Sequence, residues 1–136
     1  MLNKNYKIKG ECIFMSQEKL NTLLNLVSGA KTNVNRLLKS VLKENKIYNE
    51  MLKDCKSKIQ ILHDRLQKRG LPSNNPQDRD DVFYLAFHLL SYCYVLDNLI
   101  QLMEYDANIN LTLSNLTTQV FSIYQEFNVM YDFLKH

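Results

Sequence analysis

Residues 41–55 read VLKENKIYNEMLKDC. On a helix, Val41, Tyr48, Leu52 and Cys55 share one stripe, and Asn45 lies in the same stripe. If this segment is the middle of a helix, it joins the apolar positions on either side into one ridge. The series is Leu20, Leu24, Val27, Lys31, Val34, Leu38, Val41, Asn45, Tyr48, Leu52, Cys55, Ile59, Leu62 and Leu66. Alternating steps of four and three keep every member on one face, with the effective period of a coiled-coil or bundle seam. Leu23, Leu37 and Met51 widen the stripe on one side, which implies more than one neighbouring helix.

Within such a ridge a polar Asn45 has two readings. A buried Asn lowers stability but selects register and oligomeric state by pairing with its equivalent in a second copy. The alternative is a position at the bundle edge, reached by water. Gly29, in VSGAKTNVN, is the other doubtful point. A Gly inside a helix costs about 1 kcal/mol relative to Ala, and a break there leaves helices over about 16–28 and 33–69. The phase of the ridge nonetheless passes through Gly29 without a slip, so the reading favours a continuous or kinked helix.

Residues 69–81, RGLPSNNPQDRDD, are the clearest interruption. Gly70 suits a helix C-terminus, with Lys68 and Arg69 complementing the dipole of the last turn. Pro72 and Pro76 prevent continuation. Asp78, Asp80 and Asp81 favour the first turn of a helix over about 80–105. Its seam is Val82, Leu85, Leu89, Tyr92, Leu96, Leu99 and Met103, with a second apolar row at Phe83, Ala86, Leu90 and Cys93. After the polar turn YDANIN (105–110), Asn110 or Thr112 is the expected cap of a last helix. That helix carries Leu113, Leu116, Val120, Ile123, Phe127, Met130 and Leu134. The short turn implies an antiparallel hairpin.

The expected fold is therefore all-α. A long N-terminal helix, with a break near Gly29 as the alternative, packs on a C-terminal antiparallel hairpin in a three- or four-helix bundle or coiled coil. A continuous helix over 16–69 runs roughly 80 Å, about twice the length of the hairpin. The uncovered half of its ridge then needs a partner, most simply a second copy.

The 136 residues fit one domain over 16–136. Residues 1–15 are expected to form a flexible tail. Lys9-Gly10-Glu11 can be encoded by AAA-GGA-GAA, which contains a ribosome-binding core, so a true start at Met15 is the competing reading. Lys well in excess of Arg, many Asn and few Ala suggest an AT-rich bacterial or phage genome.

Charge is divided unevenly. Residues 1–70 carry 15 basic and 6 acidic groups, net +9, and residues 71–136 carry 2 and 8, net −6. The two parts should attract each other, within a chain or between chains. Lys39, Lys43, Lys46, Lys53 and Lys56 are the candidate contacts for an anionic partner. Interleaved Glu44, Glu50, Asp54 and Asp64 point instead to a solvated helix face. Six Tyr follow residue 83, and Tyr94 and Tyr105 lie off the main seam, which makes them candidate exposed contacts with a partner protein.

No catalytic constellation is legible. His63, His88 and His136 are far apart, and no His/Glu pair has metal-ligand spacing. Cys12, Cys55 and Cys93 form no metal or redox motif, and free thiols suit a reducing cytoplasm. The apolar run at 82–96 is short for a membrane span and contains His88. No cofactor, metal or small-molecule substrate is expected. The leading expectation is a non-enzymatic cytoplasmic helical interaction protein, a structural subunit or adaptor that self-associates. The alternatives are a small inhibitor or immunity-type protein that blocks one target, and a basic helical nucleic-acid-binding protein.

Overall fold

The structure is a computed structural model. It describes the backbone of residues 2–72, 75–103 and 106–135, and the side chains of 17–72, 75–103 and 106–130. Four α-helices are present among the described residues: α1 (Leu2–Lys39), α2 (Lys46–Arg69), α3 (Pro76–Gln101) and α4 (Ala107–Lys135). A single 3-10 turn, Val41–Glu44, joins α1 to α2. α1 is helical from Leu2, where the sequence reading places a tail through residue 15.

The long helix does break, but at Ser40–Asn45 rather than at Gly29. Two small polar residues make the break. Ser40 takes an extended backbone (φ −82°, ψ −179°), and its hydroxyl accepts the Leu42 N–H at 3.2 Å. Its hydroxyl also donates to the Leu37 carbonyl at 2.6 Å, satisfying one of the last carbonyls of α1. Asn45 then caps α2, its side-chain oxygen accepting the Tyr48 N–H at 3.1 Å. Asn45 is therefore a helix cap within its own chain, not a seam residue paired across a dimer. Val41 leaves the ridge as well and is 52% exposed, while Leu42 turns inward and is fully buried.

The four helices form a ring in which α1 packs on α2 and α4, and α3 packs on α2 and α4. Contacts along each pair run in opposite directions. Lys19 meets Glu126 and Asn33 meets Gln119 between α1 and α4. Arg65 meets Asp78 near one end of the α2–α3 pair, and Lys58 lies over Tyr92 farther along. These pairs are thus antiparallel, and for the consecutive α2 and α3 this is what a short connection favours.

The core row of α1 is Leu23, Val27, Ala30, Val34 and Leu37. The predicted Leu20, Leu24, Lys31 and Leu38 flank that row and are only partly buried. α2 contributes Tyr48, Leu52, Cys55, Ile59, Leu62 and Leu66, as the spacing predicts. In α3 the interior row is Val82, Ala86, Leu89, Cys93, Leu96 and Ile100. The expected Leu99 and Met103 face out. The interior row runs through the small Ala86 and Cys93, while the larger Leu85 and Tyr92 lie beside it, partly buried. α4 adds Ile109, Leu113, Leu116, Val120, Ile123 and Phe127. Truncating a fully buried Leu such as Leu52 or Leu116 to Ala costs about 2–5 kcal/mol.

The ends follow local chemistry. Gly70 closes α2 with φ +71°, a conformation that costs Gly least, and its N–H donates to the Leu66 carbonyl at 3.0 Å. α3 begins earlier than expected, with Asn75 as cap and Pro76 in the first turn. α4 is capped by Asp106, which accepts the Asn108 N–H at 2.8 Å. The expected caps, Asn110 and Thr112, lie inside the helix.

Candidate interaction surface

The N-terminal ridge is consumed within one chain. Val27, Val34, Tyr48, Leu52, Ile59, Leu62 and Leu66 are buried, and Leu20, Leu24 and Leu38 pack against that core. The reason for expecting a partner on this ridge, its unmatched length, disappears once α2 folds back along α1. The contacts predicted there as oligomer contacts are contacts between helices of one bundle.

Charge attraction is likewise satisfied internally. Arg65 pairs with Asp78 and lies 3.8 Å from Asp81, and Arg69 lies 3.9 Å from Asp78. Lys19 and Glu126 approach at 3.8 Å. On the α2–α3 flank, Lys58 donates to Asp54 at 2.8 Å. That bond, and then the influence of the Tyr92 hydroxyl, hold the Asp54 carboxyl below its ordinary range. The Asp54 carboxylate in turn pushes the Tyr92 phenol upward.

Between α1 and α4 lies an open groove of about 430 Å³, lined by Gly29, Thr32, Asn33, Arg36, Asn115, Thr118 and Gln119. Asn33 is 6% exposed, and its amide donates to Gln119 Oε1 at 2.8 Å. The Gln119 amide nitrogen occupies the space a Cβ on Gly29 would enter, 2.5 Å away. Gly29 is therefore a packing residue: its missing side chain makes room for the Gln119 side chain of α4, and the helix runs through it.

Inside the core, Cys55 and Cys93 face each other from α2 and α3 and are buried free thiols. A hydrogen bond with Cys55, and then burial, push the Cys93 thiol far above the usual range, so its proton stays on. Among the described residues, no three metal-ligating side chains converge.

The outward face of α3 is different in kind. No Asp, Glu, Lys or Arg occurs from Val82 to Leu96. At 100° per residue, Ser91 lies opposite the interior row of α3. Around it, Tyr84 (60%), Phe87, Tyr94, Val95, Leu99 and Leu102 (80%) are exposed. Tyr94 thus stands where the sequence placed it, on the surface, and Tyr105 lies outside the described residues. α4 extends the aromatic area: Tyr124 lies 6.4 Å from Phe87 ring to ring, and Phe121 is also exposed. By length and composition α3 is the one described helix able to cross a membrane, although its interior row is packed in the bundle.

Lys39 at the end of α1, Lys43 in the 3-10 turn, and Lys46, Lys53 and Lys56 on α2 are all exposed. Exposed acidic Glu44 and Glu50 stand among them. The sequence reading missed the α3 face as a whole because it assigned Leu99 to the seam and singled out only Tyr94 and Tyr105 as surface candidates. The usable signal was the lack of any charge on a helix with a polar start. No protein-family model matches the chain, and comparison with curated proteins and with solved structures also yields no match.

Proposed function

We propose that this chain is a non-enzymatic helical interaction protein of the cytoplasm, a structural subunit or adaptor that works through the outward face of α3. The observation that supports this reading is the uncharged aromatic face around Ser91, with Tyr84, Phe87, Tyr94 and Val95 exposed together. Monomeric soluble proteins rarely leave a contiguous apolar patch of this kind uncovered. Tyr and Phe supply large contact area at little entropic cost, which is why interfaces are enriched in them. An inhibitor or immunity-type protein would use the same face and differ only in its occupant.

The test is co-purification from the native host with wild type and with Tyr84→Lys/Tyr94→Lys. The reading expects a protein, either another copy or a different chain, retained by wild type and lost by the variant. Equal recoveries from both would overturn it. Exposed positions were chosen so that the bundle tolerates the changes.

A further inference from the structure

We infer that the occupant of the α3 face is a second copy of this chain, packed antiparallel through α3 about a two-fold axis at Ser91. This inference rests on the proposed interaction role and specifies its partner.

Area is the first argument. Tyr84, Phe87, Tyr94, Val95, Leu99 and Leu102 are each between 40 and 80% exposed. At about 200 Å² per large side chain, mid-range for aromatics, they present roughly 600 Å². The exposed His88, Ser91 and Asn98 lie between them and bring the face close to the ~800 Å² per partner of a standard interface.

Charge is the second. An isologous pairing places each surface patch against itself, so any charge near the axis meets its own kind. This face has none from Val82 to Leu96. With the axis at Ser91, Phe87 falls opposite Val95 of the partner subunit, and Tyr84 opposite Asn98 of the partner subunit. The acids nearest the face also meet no acid: Asp80 falls opposite Leu102 of the partner subunit, and Asp81 opposite Gln101 of the partner subunit. An anionic membrane is a poorer occupant, because α3 and α4 belong to the part of the chain with net charge −6.

Size at the axis is the third. Ser91 is the small residue at the centre of the face, so two helix axes can approach to the usual 8–10 Å or so. Its hydroxyl already donates to the Phe87 carbonyl at 3.0 Å, so burying it strands no polar group.

Sedimentation velocity of the full chain from 1 to 100 μM, expressed as ranges of roughly micromolar affinity, reads the proposal directly. Wild type should form a discrete dimer. Ser91→Lys sets two like charges face to face and should weaken the dimer about thirty-fold or more, the loss expected at an interface centre. Ser91→Ala should leave it intact. Circular dichroism should show both variants folded, since Ser91 is exposed. A wild type that stays monomeric overturns the proposal, as does a dimer indifferent to Ser91→Lys. Open-ended assembly also overturns it, pointing to basic-on-acidic stacking of copies. Flotation of a monomer with phosphatidylcholine vesicles overturns it in favour of a lipid surface. A monomer that still shows the wild-type-against-variant difference in co-purification overturns only the second copy, and leaves the interaction role standing with a different protein as partner.

Discussion

Asn33 of α1 donates to Gln119 of α4 at 2.8 Å, and the other end of the Gln119 amide sits over the bare Cα of Gly29. This arrangement joins two residues one turn apart on α1 and a third, 86 positions beyond Asn33 on α4, into one packing unit. It also gives the Gly in the interior of α1 a packing role.

Gly29→Ala alone should be neutral or destabilising. The substitution gains about 1 kcal/mol of helix propensity. The new methyl displaces the Gln119 amide, and the buried Asn33 then loses its bond, a cost of about 1–3 kcal/mol. In a Gln119→Ala background the clash is gone, and Gly29→Ala should stabilise by about 1 kcal/mol. Urea denaturation of the four proteins checks the sign change, and simple additivity would contradict this packing unit.

Asn45→Leu should lower stability by about 1 kcal/mol through loss of the α2 cap. It should leave the oligomeric state unchanged, because Asn45 bonds Tyr48 of its own chain. Asn45→Asp should retain most of the stability. A stabilised Asn45→Leu protein with a scrambled association state would restore the paired-Asn role.

Asp54 titrates below its ordinary value of 3.8, chiefly through Lys58 and then Tyr92. A carboxyl lowered in the folded state contributes stability above its unfolded value and loses it as pH falls through the folded one. Asp54→Ala should therefore cost about 0.5 kcal/mol at neutral pH, a small figure because the pair is well hydrated. The gap between wild type and variant should close as pH falls below 3.8. Tyr92 has the opposite sign: its phenol is raised above 10.0, so its contribution holds below that pH and is lost on going above it. Thermal melts of Asp54→Ala and Tyr92→Phe across the pH range check both limits.

Arg65→Ala should cost about 1–2 kcal/mol, between the values for exposed and buried ion pairs. Arg65 and Asp78 are each about one-fifth exposed, so salt should screen the pair only in part. Chemical denaturation with and without added salt gives the measurement. A loss abolished entirely by salt would mean the pair is solvated.

Cys55 and Cys93 should resist a thiol reagent in the folded protein, with Cys12 changed to Ser to remove its signal. Cys93 is buried and holds its proton, and only the thiolate reacts. Labelling should follow global unfolding as urea rises. Fast labelling in buffer would show that the core opens locally.

Much of this molecule could be read from its residues. Apolar positions three and four apart specified helices; α2 buried the row its spacing named, and α4 buried its row from Leu113 to Phe127, with Met130 partly buried and the Leu134 side chain outside the described residues. Gly70 and the two Pro located the central break, because their backbone restrictions are local. The turn at Ser40–Asn45 was not legible: it contains neither Gly nor Pro, and the heptad phase on either side can be joined across it. A capped 3-10 turn wins there because α2, folded back, buries Leu42, Tyr48 and Leu52 in the bundle, and that burial outweighs a few helical hydrogen bonds.

Sequence by itself determined an all-α chain with a basic first part, an acidic second part and no charge across the middle of α3, since these depend on residue type and spacing alone. Tertiary structure decided which face of each helix is the inside. It turned Asn45 from a pairing residue into a cap, rotated the α3 seam onto Ala86 and Cys93, and left Tyr84, Phe87 and Tyr94 uncovered. The reason is physical: a helix with apolar residues on several sides has no preferred inner face of its own, and only close packing against its neighbours selects one.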